Sequence, residues 1–184
     1  MPESFAEFRT CNDPQLFKMK AAAATFVADY KLKKQPRWLS LLGTSGAGKT
    51  LLAKFIRDAT QQRWESQPSG VKYSTYWSFY HWPTAAKRML DRRQWDLVDC
   101  MIEDDCCIID EVECESDSKG ILRDKLCNIA ERRLGKWTVI TSNLSLEGIA
   151  AKLDQRISSR MLRGGNVVVD VDVLDYNLRK RNER

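Results

Sequence analysis

An apolar run, Trp38-Leu39-Ser40-Leu41-Leu42, leads directly into Gly43-Thr44-Ser45-Gly46-Ala47-Gly48-Lys49-Thr50, and a helical pattern follows. A strand, a glycine-rich turn and a helix in immediate succession fit the phosphate-binding loop pattern G-x-x-x-x-G-K-S/T. The chemistry requires these residue types. Glycines let backbone N–H groups wrap phosphate oxygens without Cβ clashes. Lys49 places a cation on the β- and γ-phosphates, and Thr50 offers a hydroxyl to magnesium. The helix that begins there turns its positive end toward the anion. Gly43, Thr44, Ser45, Gly46, Ala47, Gly48, Lys49, Thr50 and Leu51 are therefore the predicted nucleotide-binding residues.

The rest of the chain supplies the sheet that such a loop requires. Residues 14–31 have helical spacing, with Asp13 as N-cap and Pro14 in the first turn. Leu51 to Trp64 is helical, and Val71 to Tyr80 is β-prone and aromatic. Helices are expected over Pro83 to Arg93, Trp95 to Glu103, Gly120 to Leu134 and Leu146 to Leu162. Strands are expected at Cys106 to Ile109, Trp137 to Thr141 and Val167 to Val173. Strands alternating with helices imply a parallel sheet flanked by helices, and strands without polar alternation imply burial on both sides.

Composition excludes several classes. With 184 residues, 43% hydrophobic and 30% charged, the chain is an ordinary single globular domain rather than disordered or fibrous. No run approaches the ~20 apolar residues of a membrane span, and the first residues do not read as a signal peptide. The six cysteines form no C-x-x-C pair and His81 is the only histidine, which argues against zinc and for reduced thiols in the cytoplasm. The net charge of +5 is mild, but base gathers at Lys31 to Arg37, Lys87 to Arg93 and Leu178 to Arg184.

Three further segments carry chemistry. Cys106-Cys107-Ile108-Ile109 ends in Asp110-Glu111. At a strand end beside the phosphate loop, Asp110 would hold the Mg²⁺ shell and Glu111 would orient and deprotonate the attacking water. A second carboxylate favours hydrolysis over transfer to an acceptor. After the next strand, Asn143 can bond both a water and a phosphate oxygen, or simply serve a turn. Ser145 is the better cap for the helix beyond. Arg156 and Arg160, four apart, share one helix face, either as a solvated basic edge or as arginines presented to a neighbour's nucleotide.

Together these segments resemble the AAA+ ATPases, and among them the DnaC/IstB-type family of helicase loaders and transposition helpers. The loop has the form G-x-x-G-x-G-K-T. Ile108-Ile109-Asp110-Glu111 resembles Walker B, Thr141-Ser142-Asn143 a sensor-1 segment, and Arg156-Ile157-Ser158-Ser159-Arg160-Met161 an R-I-x-S-R-L segment. Asp175-Tyr176-Asn177-Leu178-Arg179-Lys180 is similar to the family's closing stretch, and Phe5 and Phe8 stand where a lead-in packs near the adenine. The resemblance implies an AAA+ P-loop core hydrolysing ATP with Mg²⁺. Asn143 would be the sensor and Arg160 the finger of a homo-oligomer. Partners would be a replicative helicase and single-stranded DNA, with no membrane. Residues 1–37 would be a lead-in, 38–176 the ATPase core without a helical lid, and 177–184 a basic tail.

Tyr73, Tyr76, Trp77, Phe79, Tyr80 and Trp82, crowded before Lys87, Arg88, Arg92 and Arg93, could stack on bases or could be core. Other functions stay open. A transposition helper would share the chemistry but serve a transposase. A small-molecule kinase would transfer phosphate to an acceptor, and a binding module would use nucleotide as a switch.

Overall fold

The computed structural model describes residues 4–60, 76–113, 120–176 and 178. The strands are β1 (Trp38–Gly43), β2 (Trp77–His81), β3 (Cys106–Asp110), β4 (Trp137–Thr141) and β5 (Val167–Val171). The helices are α1 (Pro14–Lys31), α2 (Lys49–Thr60), α3 (Trp82–Arg92), α4 (Asp96–Glu103), α5 (Ile121–Arg132), α6 (Leu146–Lys152) and α7 (Gln155–Met161), and a short 3₁₀ turn spans Phe5–Glu7. The strands form one sheet in the order β2-β3-β4-β1-β5, with every pairing parallel. This is the helix-flanked parallel sheet that the alternation predicts.

The period of two along each strand divides the core. Trp38 and Leu42 on β1, Ile109 on β3 and Ile140 on β4 pack with side chains of α3 to α7. Leu39, Leu41, Ile108, Val139 and Val169 pack on the other face with α1 and α2. β1, β3 and β4 are buried at every position, as strands covered on both faces must be.

Local chemistry sets the helix ends. Asp13 caps α1 through the amides of Gln15 and Leu16, beside Pro14, and Ser145 caps α6 through the amide of Gly148. The continuous helix expected from Leu146 to Leu162 is instead two. The Asp154 carboxylate accepts the Arg156 amide as the cap of a new helix, so the chain leaves helical geometry at Leu153 and restarts. Residues 61–64 of one expected helix, and 71–75 of one expected strand, lie outside the described residues.

At the amino ends of the strands Arg133 is fully buried, and among the described residues no carboxylate pairs with it. Its guanidinium donates to the carbonyls of Met101, Asp104 and Trp137 and to the Thr138 hydroxyl. Its own carbonyl accepts the Trp38 indole N–H at 3.1 Å. One side chain thus joins the end of α4 to the start of β4. Arg133→Met keeps the aliphatic stem but leaves three buried carbonyls without this donor. It should destabilise the fold by more than about 3 kcal/mol, read as a lowered urea midpoint.

Candidate active site

The parallel register brings four strand ends level. Leu41 lies opposite Thr141, Ile109 opposite Ile140, and His81 opposite Asp110. The phosphate loop, the acidic pair and the Thr141-Ser142-Asn143 segment therefore meet at one edge of the sheet. A cleft of about 610 Å³ opens there, lined by Ser45, Gly46, Gly48, Lys49, Thr50, Leu51, Glu111, Thr141 and Asn143, with Lys54, Phe55, Arg57 and Asp58 along α2.

The loop conformation depends on its glycines. Gly43 has φ +106°, and a Cβ there would stand 1.8 Å from the Val171 carbonyl oxygen. A Cβ on Gly48 would meet the Phe8 ring at 2.7 Å. The lead-in thus lies directly on the loop, and Phe5 stacks obliquely on Phe55 with ring centres 5.5 Å apart. The chain leaving β5 holds the opposite flank. The Thr44 hydroxyl donates to the Val173 carbonyl and accepts the Val173 amide, and the Tyr176 amide donates to the Gly46 carbonyl.

Lys49 is 6% exposed, and its ammonium donates to the carbonyls of Gly43 and Thr44 at 2.7 and 2.6 Å. Among the described residues no carboxylate pairs with it within 4.0 Å. Burial pushes its pKa down to about 8, against the pull of nearby Glu113, Glu111 and Asp110. A buried ammonium without an ion-pair partner, at a helix start and in a glycine cradle, fits a phosphate group. The hard oxygens beside it fit magnesium: the Thr50 hydroxyl donates to Asp110 Oδ1 at 2.9 Å, at the cleft edge.

Asp110 is buried, whereas Glu111 is half-buried and adopts φ +59°. Its carboxylate rests 3.0 Å from His81 Nε2, and His81 Nδ1 lies 2.7 Å from the Thr84 hydroxyl. Sequence reasoning missed His81 as a site residue. Its role emerges only from the β2–β3 register, which sets it opposite Asp110. Asn143 lines the cleft, and its amide nitrogen donates to the Glu113 carboxylate.

Neither arginine lines this cleft. Arg156 is exposed and forms two side-chain bonds to Asp154, whose pKa it lowers to about 2. Arg160 lies against Glu131 of α5 at 3.1 Å and donates to the Arg156 carbonyl. Of the aromatic cluster, Trp77 and Trp82 are buried in the core and so closed to bases, Phe79 and Tyr80 are half-buried, and Tyr76 is exposed; Tyr73 lies outside the described residues. Burial raises the Cys106 thiol to about 11 and the Cys107 thiol to about 12, so neither is a nucleophile at neutral pH.

No protein-family model and no curated protein matches the sequence. Solved structures do match. The crystal structure of DnaI superposes with TM-score 0.70 at 22% identity, covering 95% of this chain and 93% of that one. The DnaC helicase loader superposes with TM-score 0.68 at 17% identity, covering 91% and 96%. The chain has the fold of the DnaC-type AAA+ ATPases. The same fold extends to the replication initiator DnaA, solved with AMPPCP and single-stranded DNA (TM-score 0.67, 14% identity), although only 54% of that chain is covered.

The lysine provides a check that needs no ligand. An unfolded lysine titrates near 10.5 and Lys49 near 8, so between those values the unfolded chain binds more protons. The sign is that stability from this group rises with pH through that window. The unfolding free energy of the wild type minus that of Lys49→Met should therefore grow from pH 8 to 10. Urea titrations of both proteins would measure it, and a flat difference would contradict the assigned environment.

Proposed function

We propose that this chain is an ATP-binding and ATP-hydrolysing protein of the DNA-replication machinery. It would work as a homo-oligomer in the manner of a DnaC-type helicase loader. The observation that carries the reading is the convergence of Lys49, Thr50, Asp110 and Glu111 on one cleft at the carboxyl edge of the sheet. The fold shared with DnaI, DnaC and AMPPCP-bound DnaA supports it.

Each residue then has a task. Backbone amides of the 43–50 loop and the Lys49 ammonium hold the β- and γ-phosphates. Thr50 and Asp110 would hold Mg²⁺, which neutralises phosphate charge when bound. Glu111, half-buried at the cleft, takes the proton of the attacking water, for which it must leave His81. Asn143 positions that water against the γ-phosphate. Leu51, with Phe5 and Phe8 nearby, belongs to the base side of the site.

Arg160 would reach the nucleotide of an adjacent subunit once released from Glu131, with Arg156 beside it. The working unit would be residues 38–176, with 1–37 as lead-in and 177–184 as a basic tail. The partners would be a replicative helicase and single-stranded DNA in the cytoplasm, where the free cysteines stay reduced. With Trp77 and Trp82 in the core, DNA contact falls to the exposed Lys87, Arg88, Arg92 and Arg93 along phosphates. Among the described residues no helix is long and apolar enough to cross a membrane.

Steady-state ATPase assays across protein concentration test this. Specific activity should rise with concentration. Glu111→Gln should abolish turnover while retaining nucleotide affinity, and Arg160→Ala should lose at least about tenfold in rate. Mixing the two variants should restore activity, because one supplies an intact finger and the other an intact site. Activity independent of concentration and untouched by Arg160→Ala would indicate a monomeric kinase-like protein instead.

A further inference from the structure

Thr141, the last residue of β4, is 1% exposed and bonds both residues of the acidic pair. Its hydroxyl has one proton to give and lone pairs to accept with. The proton goes to Asp110 Oδ1 at 2.7 Å, and the oxygen accepts the Glu111 amide at 2.9 Å. Asp110 Oδ1 also receives the Thr50 hydroxyl, so this one oxygen has two hydroxyl donors, one from the loop and one from β4.

The second bond acts on a strained residue. Glu111 is not glycine, yet it sits at φ +59°, a region that L-residues seldom occupy without outside support. Support comes from β4. Thr141 takes the Glu111 amide with its hydroxyl and the Val112 amide with its carbonyl at 2.8 Å, and the Ser142 hydroxyl donates to the Val112 carbonyl. The left-handed turn is therefore pinned from the neighbouring strand, and it is this turn that directs one carboxylate inward and the next outward.

We propose that Thr141 is a positioning residue for hydrolysis, whose single hydroxyl sets the Asp110 carboxylate for the metal and fixes the Glu111 turn for the water. The proposal rests on the ATPase reading above. Thr141→Val preserves the branched shape and removes only the hydroxyl function, and Thr141→Ser restores it. Two readouts are needed: steady-state kinetics, and the affinity of a fluorescent ATP analogue measured with Mg²⁺ and with EDTA.

In Thr141→Val, kcat should fall about 10- to 100-fold with KM within about threefold, as expected of a misplaced group rather than a lost contact. The tightening of nucleotide binding on adding Mg²⁺ should shrink, while affinity in EDTA stays at the wild-type value. Thr141→Ser should recover most of both. Wild-type kinetics in Thr141→Val would overturn the proposal, as would Thr141→Ser failing equally or a loss of affinity in EDTA that marks general damage. If the wild type binds MgATP without turning it over, the ATPase reading fails, and the Mg²⁺ arm still decides whether Thr141 sets Asp110.

Discussion

A parallel sheet can gather chemistry at only one edge, because all its strands end on the same side. Here that constraint is sharpened by strand order. β4 lies between β1 and β3, so its terminal Thr141-Ser142-Asn143 falls between the phosphate loop and the acidic pair. Everything that resembles a catalytic apparatus follows from this insertion. β2 reaches Glu111 from the other side through His81, whereas β4 bonds both Asp110 and the Glu111 amide.

The two edges of the sheet divide the work. At the amino edge Trp38, Trp77 and Trp137 begin their strands. The rings of Phe26 and Tyr30 meet Trp77 and Trp137 edge-on, and Arg133 donates to the carbonyls of Met101, Asp104 and Trp137. These contacts are largely apolar, and the guanidinium of Arg133 is hydrogen-bonded. The carboxyl edge carries what a core would reject: a buried ammonium, a buried carboxylate and a left-handed glutamate. Strain at one edge is sustained by packing at the other.

Local patterns were legible in the sequence, and cross-strand relationships were not. The strand, turn and helix around Gly43 to Thr50 follow from adjacent residues, as do the caps at Asp13 and Ser145. The break at Asp154 was hidden because apolar spacing continues through Leu153, Ile157 and Met161, and side-chain capping outweighs periodicity there. His81 gave no signal because its meaning arises from the β2–β3 register, which no short-range pattern encodes. The burial of Trp77 and Trp82 was open for the same reason: aromatic residues before a basic helix look alike whether they face solvent or sheet. The left-handed conformation of Glu111 also lies beyond sequence, since nothing about glutamate favours it.

The chain beyond β5 does more than finish the sheet. Gln15 brackets Asp172 through both its amide atoms, Thr44 brackets Val173 through its hydroxyl, and Tyr176 ties to Gly46. Within five residues the departing strand is fastened first to the lead-in helix and then twice to the phosphate loop. The three segments behave as a single hitch. A load applied at Tyr176 would pass within a few bonds to the backbone of the 43–50 loop.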